Sequence, residues 1–205
     1  MAKPLATEFE ALHLRDAELF YQAYYLSFED ADSLLAALTD SLQWRQDDIQ
    51  MFGRSIAIPR LQAWYGDADA HYRYSGLDLT PNPWTPELLE LRRRIERSCG
   101  YSFNAVLANL YRNGEDSVGW HCDNEQELGK DPILASLSLG AERRFSLRHK
   151  KHKHEKLDLK LGHGSLLIMA GTTQRHWLHA LPKQRNLFAP RINLSFRKIV
   201  TKKAQ

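Results

Sequence analysis

At 205 residues the chain is long enough for one domain with a substantial core and too short for two independent ones. Its 28 basic and 25 acidic residues leave a net charge of +3, which permits a polyanion partner without demanding one. Two cysteines cannot build a disulfide framework, the opening Met-Ala-Lys-Pro-Leu-Ala-Thr-Glu lacks the apolar core of a signal peptide, and no apolar run is long enough to cross a bilayer, so a soluble, non-secreted chain is expected.

Residues 1–28 carry no assigned element and are expected to be partly disordered or a strap. Within 30–42, Leu34, Leu35, Leu38 and Leu42 fall at helical spacing behind Asp30, Asp32 and Ser33, any of which can cap an N-terminus. Thr85-Pro86-Glu87 opens a second helix, with Leu88, Leu91 and Ile95 as its apolar stripe and Arg92, Arg93, Arg94 and Arg97 on a solvated face. From about residue 104 the period shortens to two. Strands are expected at Ala105–Tyr111, Ile133–Leu139, Arg144–Arg148, Leu157–Leu161, Ser165–Ala170 and Arg191–Ile199, and their number and turn chemistry point to a barrel or jelly roll. Ile133 to Leu139 alternates and reads as half-buried; Leu166-Leu167-Ile168-Met169 is continuous and reads as fully buried. The run Arg148-His149-Lys150-Lys151-His152-Lys153-His154 reads as an exposed loop between strands.

The chemistry sits in this second half. In Trp120-His121-Cys122-Asp123 an extended backbone sends His121 and Asp123 to one side, about 7 Å apart along the strand. A later histidine, such as His179 in His-Ala-Leu-Pro, completes three ligands. Two imidazoles and a carboxylate leave coordination positions open, which suits non-haem Fe(II) better than a closed zinc site. His-x-Asp alone is a weak signal. In Pro190-Arg191-Ile192-Asn193-Leu194-Ser195-Phe196-Arg197 the residues Ile192, Leu194 and Phe196 share one face, and Arg191, Asn193, Ser195 and Arg197 the other. That polar face is either a clamp for a dicarboxylate or a basic strand turned to solvent or DNA.

Taken in order, Asn109-Leu110-Tyr111, His121-Cys122-Asp123-Asn124-Glu125, His163-Gly164-Ser165-Leu166-Leu167, His176-Trp177-Leu178-His179-Ala180-Leu181-Pro182 and Pro190 to Arg197 resemble the AlkB-like Fe(II)- and 2-oxoglutarate-dependent dioxygenases. The likeness is strongest to the nuclear-type members that repair alkylated DNA, and it runs from about Ile58 to Ile199. It implies an α+β chain built on a double-stranded β-helix, or jelly roll, with N-terminal helices and a nucleotide-recognition hairpin region. The corresponding division is 1–28, an extension with helices and lid at 29–100, and a dioxygenase core at 101–200, all one structural unit.

By the same resemblance His121, Asp123 and His179 hold Fe(II), His179 being preferred to His176 and His163. Arg191 meets the far carboxylate of the 2-oxoglutarate cosubstrate, while Asn109, Tyr111, Asn193 and Arg197 supply the other polar contacts. The implied reaction is oxidative N-demethylation of lesions such as 1-methyladenine and 3-methylcytosine, consuming O2 and 2-oxoglutarate and releasing succinate, CO2 and formaldehyde. A base must leave its stack to reach the metal. Phe52, between Gln50-Met51 and Gly53-Arg54, is a candidate wedge, with a hairpin carrying an ordinary core phenylalanine as the alternative. Tyr72, Arg73 and Tyr74 are candidates for stacking on the extruded base. Asn124 and Glu125 follow the ligands and are placed to read base edges, Glu125 by accepting from an exocyclic amine. Arg148, Lys150, Lys151, Lys183 and Arg185, with Arg143 and Arg144 nearby, are candidate phosphate contacts. Lys183-Gln184-Arg185 lacks the unbroken basic triplet of the animal nuclear-type pattern, and the basic loop is shorter and richer in histidine. Single- or double-stranded DNA is therefore the expected partner, with RNA open; a monomer is expected, without membrane attachment, in the cytoplasm of a bacterium or the nucleus of a eukaryote.

Overall fold

A computed structural model of the chain describes residues 8–51, 54–74 and 77–200, and side chains there except within 49–54 and 72–79. In chain order the strands are β1 (Glu10–Leu12), β2 (Glu18–Gln22), β3 (Asp48–Met51), β4 (Arg54–Ala57), β5 (Leu61–Gly66), β6 (Tyr72–Tyr74), β7 (Leu77–Leu79), β8 (Ala105–Tyr111), β9 (Val118–His121), β10 (Leu134–Gly140), β11 (Arg143–His149), β12 (Lys156–Leu161), β13 (Leu166–Ala170), β14 (Trp177–Leu181) and β15 (Arg191–Arg197). The helices are α1 (Phe28–Ser41), α2 (Pro86–Cys99) and the single turn α3 (Thr173–His176).

Seven strands form one antiparallel sheet in the order β1-β2-β13-β10-β15-β8-β5, and four form a second in the order β12-β11-β14-β9. Leu134, Leu167 and Met169 of the large sheet pack with Phe145, Leu147, Trp177 and Leu181 of the small one, so the two sheets enclose a common interior, as the jelly-roll expectation requires. The other face of the large sheet, through Val106, Ala108, Leu137, Ile168, Ile192, Leu194 and Phe196, packs on Leu38 of α1 and on Leu88, Leu91 and Ile95 of α2. Each of those large apolar side chains contributes about 1.5–3 kcal/mol on burial. The hairpins β3–β4 and β6–β7 stand apart from both sheets.

Helix α1 starts earlier than expected. Its cap is Ser27, whose hydroxyl accepts from the Asp30 amide at 3.1 Å, rather than Asp30, Asp32 or Ser33. Helix α2 is capped by Thr85 as expected and ends on Gly100 at φ 71°, a left-handed stop that favours glycine. Its arginines are held in ion pairs, Arg92 with Asp67 at 3.0 Å and with Glu96 at 3.1 Å.

Three expectations change. Residues 10–12 and 18–22, unassigned from sequence, extend the large sheet, β2 pairing with β13 from Glu18 to Gln22. Strand β10 is buried on both faces, because Ser136 and Ser138 line the interior instead of meeting solvent. The basic run is not all loop: Arg148 and His149 end β11, and His149 is buried. No helix among the described residues is long and apolar enough to cross a membrane.

Candidate functional site

One cavity opens between the sheets, lined by His121, Asp123 and His179, by Asn109, Tyr111, Arg191, Asn193 and Arg197, and by Arg60, Ser136 and Ser195 among the polar residues. The histidines converge because strands β9 and β14 pair with His121 directly opposite His179, a cross-strand position that brings side chains together. Their rings lie 4.2 Å apart. Beyond that pair the register slips, with Leu181 opposite Val118. This bulge gives β9 an extra residue, so Val118 and His121 both line the cavity and Trp120 turns out. Asp123 lies just past the strand end, where the buried Gln174 side chain accepts its backbone N–H at 3.0 Å.

The donor atoms of His121, Asp123 and His179 fall within 4.8 Å of one another, a spread near what three donors at about 2.1 Å from one ion require. His121 Nδ1 is 2.8 Å from the Gly119 carbonyl. A carbonyl only accepts, so Nδ1 carries the proton and Nε2 keeps its lone pair for a metal. Burial, then the neighbouring His179, push His121 down to about 4, leaving it neutral at physiological pH. Burial alone would raise the Asp123 carboxyl, but Arg197, whose Nη2 is 3.6 Å away, and then His179 outweigh it and hold the group well below the usual carboxylate range. A neutral His121 imidazole and an ionised Asp123 carboxylate thus stand beside His179 as available ligands.

The described residues contain a second group with the same donor types, Asp16, His149 and His152. Here the tautomer is wrong for a metal. His149 Nδ1 accepts the backbone N–H groups of Lys151 at 3.1 Å and His152 at 3.0 Å, so the neutral ring carries its proton on Nε2, which faces Asp16 Oδ2 at 3.3 Å. The other competing histidines are also engaged elsewhere. His163 Nδ1 accepts from Gly140 N at 2.8 Å, and His176 stacks on His149 with centroids 5.8 Å apart.

The polar face of β15 is interior, which removes the solvent-facing alternative: Arg191, Asn193 and Arg197 are buried. Register places Arg191 opposite Tyr111 and Asn193 opposite Asn109 on β8. Arg191 donates to Ser138 Oγ at 2.9 Å and lies 5.5 Å from the Tyr111 ring centroid, while its buried Nε has no hydrogen-bond partner among the described residues. Burial brings the guanidinium down to about 10, still charged at neutral pH. An orphaned N–H on a buried cation is costly unless an anion meets it, so this corner fits a carboxylate. Asn109 Oδ1 accepts from Arg60 Nε at 2.8 Å, which fixes the carboxamide and leaves its NH2 as donor. Asn193 is already engaged: it donates to Ser136 Oγ at 2.7 Å and to the Leu137 carbonyl at 3.2 Å, and accepts from Ser195 Oγ at 3.0 Å.

Arg60, Gln174, Ser136 and Ser138 carry little signal in the sequence. The Ser-Leu-Ser alternation in β10 was the available clue to the last two, and Pro59-Arg60 the only one to the first.

The other candidates spread more widely. Phe52 and Gly53 lie outside the described residues; Arg54 opens β4, and Tyr72, Arg73 and Tyr74 make up β6. Asn124 is exposed and Glu125 half-buried just after Asp123. Lys151 and Arg185 are exposed, and Lys183 pairs with Glu115 at 3.2 Å in solvent. The loop bearing them is held by Gly114, where a Cβ would run into the Gln184 carbonyl. Lys150 is drawn inward: its ammonium donates to the Gln174 carbonyl at 2.9 Å and to Cys122 Sγ at 3.2 Å. Arg143 is a structural cation, buried and donating to the carbonyls of Asn113, Asp116 and Pro182.

Comparison with known proteins fits this geometry. Residues 18–197 match the family model described as 2OG-Fe(II) oxygenase superfamily. The human alpha-ketoglutarate-dependent dioxygenase alkB homolog 3 is 42% identical over 184 residues, covering 85% of this chain and 64% of that protein. The mouse DNA oxidative demethylase ALKBH2 is 45% identical over 162 residues, covering 76% of this chain and 68% of that one. The bovine alkB homolog 3 is 43% identical, and again the chain spans 64% of its length. The solved structure of OsALKBH1 superposes with a TM-score of 0.64 at 16% identity, covering 91% of this chain and all of the other, a likeness of fold alone. With nearly its whole length matched by the family model, the chain belongs to the 2OG-Fe(II) oxygenase superfamily.

Proposed function

We propose that the chain removes N-alkyl groups from bases in DNA by oxidative demethylation, consuming 2-oxoglutarate and O2 and releasing succinate, CO2 and formaldehyde. One observation carries this reading: three available metal donors and an orphaned buried guanidinium open into one cavity, in a chain whose relatives include proteins named DNA oxidative demethylase. When bound, iron and 2-oxoglutarate would supply, with O2, the oxidising chemistry by which an N-methyl group is hydroxylated and lost as formaldehyde.

The chain's own residues do the rest. His121 Nε2, Asp123 and His179 hold the metal, with Arg197 keeping Asp123 ionised and Gln174 fixing its backbone. Arg191, steadied by Ser138, takes the far carboxylate of the cosubstrate through a charge-assisted pair. Asn109, oriented by Arg60, and Tyr111 complete that end, and Asn193 acts by holding Ser136 rather than by touching the ligand. Leu107, Val118, Phe145, Met169 and Leu181 wall the cavity and keep water from the reacting centre.

On the substrate side, Phe52, followed by Gly53 and Arg54, enters the base stack, Tyr72 and Tyr74 hold the extruded base beside Arg73, and Asn124 and Glu125 read its edge. Arg148, Lys151, Lys183 and Arg185 meet phosphates; Lys150 is a strut between Cys122 and Gln174. The test is formaldehyde release and base restoration on single- and double-stranded oligonucleotides carrying 1-methyladenine or 3-methylcytosine, with Fe(II), ascorbate and 2-oxoglutarate each omitted in turn. Restoration that depends on every component is the expected result. Succinate formation with the lesion intact would move the substrate to RNA or protein.

A further inference from the structure

The outer face of the small sheet carries cations that the metal and cosubstrate sites leave unused. Between β11 and β12 the register sets Arg144 opposite Lys160 and Arg148 opposite Lys156, with Ser146 opposite Asp158 between them. Phe145 and Leu147, at the alternate positions, pack into the interior, so this set points outward. Arg144, Lys156 and Lys160 are exposed. Like charges directly opposed across a ladder weaken it, and here two such pairs flank a single carboxylate, Asp158. The carboxylates on the same face are Asp158 and Glu142, the latter 3.6 Å from Lys160 with both side chains largely in water, where an ion pair neutralises little. An arrangement that costs stability inside the protein is accounted for by an anion outside it.

The face also carries an aromatic. Trp120 turns out while its neighbour His121 turns in, as successive residues of a strand do. It is 43% exposed on the free edge of the sheet, beside the cavity. Arg148 reaches across β14 and lies over its ring at 4.2 Å, tethering the indole in place. From β9 to β12 are three strand spacings, about 14 Å, room for a few phosphates. A row of cations starting at an exposed indole matches the alternation of base and phosphate in a single strand.

Resting on the nucleic-acid reading above, we propose that this face is a track for the single strand leading away from the extracted base. Trp120 stacks on a base outside the cavity, and Arg144, Lys156 and Lys160 hold the phosphates beyond it. Trp120, Arg144, Lys156 and Lys160 are none of the substrate-side residues assigned above.

The experiment measures binding of an unmodified 15-nucleotide single-stranded oligodeoxynucleotide by fluorescence anisotropy across a salt series, using the full chain. Lys156→Gln combined with Lys160→Gln should make the slope of log affinity against log salt shallower by about 1.4, at about 0.7 per neutralised phosphate. Trp120→Leu should weaken binding by about 5- to 100-fold with the slope unchanged, and should not weaken binding of inorganic polyphosphate, which has no bases. In both variants the ratio of kcat/KM on a 15-nucleotide substrate to that on a lesion-bearing trinucleotide should fall. Wild-type affinity and slope in the lysine variant, or equal losses on polyphosphate and DNA in the Trp120 variant, would overturn the track. The demethylase reading fails independently: these binding signatures in a protein that restores no lesion would sink that reading and leave the track standing, while lesion repair with unaltered binding in both variants would do the reverse.

Discussion

The two clusters of histidine and aspartate are made of the same donors and differ in what the backbone does to one ring nitrogen. In the cavity, the Gly119 carbonyl accepts from His121 Nδ1 and turns Nε2 into a lone pair aimed at Asp123 and His179. At the far end of β11, two backbone N–H groups donate to His149 Nδ1 and turn Nε2 into a donor for Asp16. Ligand type and proximity are equal in the two places; the tautomer is opposite. A histidine becomes a ligand through the hydrogen bond on its other nitrogen, and that bond comes from main-chain geometry.

The largest effect that tests this contrast is Asp123→Ala. It removes the only carboxylate of the cavity cluster and leaves the Arg197 cation buried without it, so Fe(II)-dependent succinate release should disappear. The same protein titrated with Mn(II) by calorimetry should lose its one tight site. A tight site that survived would mean that the Asp16 cluster binds metal after all.

Next comes Arg191→Met, which leaves the cosubstrate carboxylate facing an apolar wall. Truncating one partner of a buried charged pair costs roughly 2–5 kcal/mol, so the KM for 2-oxoglutarate should rise on the order of 10²- to 10³-fold, with metal affinity little changed. Arg191→Lys keeps the charge but not the fork, and should recover only part of the loss. An equal fall in metal affinity would show that the two halves of the cavity are not separable.

Acid titration probes the cavity histidine itself. His121 titrates near 4 in the fold against 6.5 for an ordinary histidine, so between those values the unfolded chain binds a proton that the folded one refuses. The stability this represents is fully present above pH 6.5 and is lost as pH falls towards 4, to a limit of about 3 kcal/mol. Asp123, lowered from 3.8, contributes below that window. The metal-free protein should therefore show a falling Tm between pH 6.5 and 4.5, and His121→Gln should flatten the slope. A slope unchanged in that variant would place the titrating group elsewhere.

Much of this was legible in the sequence where chemistry and period coincide. Arg191 to Arg197 alternates so strictly that both faces were evident, and only the choice between interior and solvent was missing; that choice depends on β10, whose serines oppose the strand across 53 and 57 residues. His179 was found by resemblance, since Trp177 to Leu181 is apolar on both faces and shows no alternation. What could not be read are the bonds that tune the site: Gly119 to His121 depends on a bulge, Arg60 to Asn109 spans 49 residues, and Gln174 meets Asp123 across 51. The second β-strand and its edge position were invisible because Glu18 to Gln22 is short and polar at both ends.

Gln174→Leu tests the least legible of these bonds. The leucine removes the acceptor for the Asp123 amide while filling similar space, so a buried N–H is left unmet and the ligand segment loosens. Metal affinity should drop about 10- to 100-fold, the range for groups that orient ligands, with 2-oxoglutarate KM affected less than in Arg191→Met.

Asp16→Asn should do least. The asparagine oxygen still accepts from His149 Nε2, and Asp16 is 44% exposed, so the lost charge is screened and stability should change by less than about 1 kcal/mol. Metal stoichiometry should stay at one per chain. Were the Asp16 cluster a true site, the same substitution would replace a charged ligand with a neutral one and lower the metal count, because an amide oxygen is a much poorer donor than a carboxylate. A single substitution that leaves the fold, the charge on Asp123 and the cavity intact therefore separates a cluster that merely contains metal-binding residues from one whose backbone prepares them to bind.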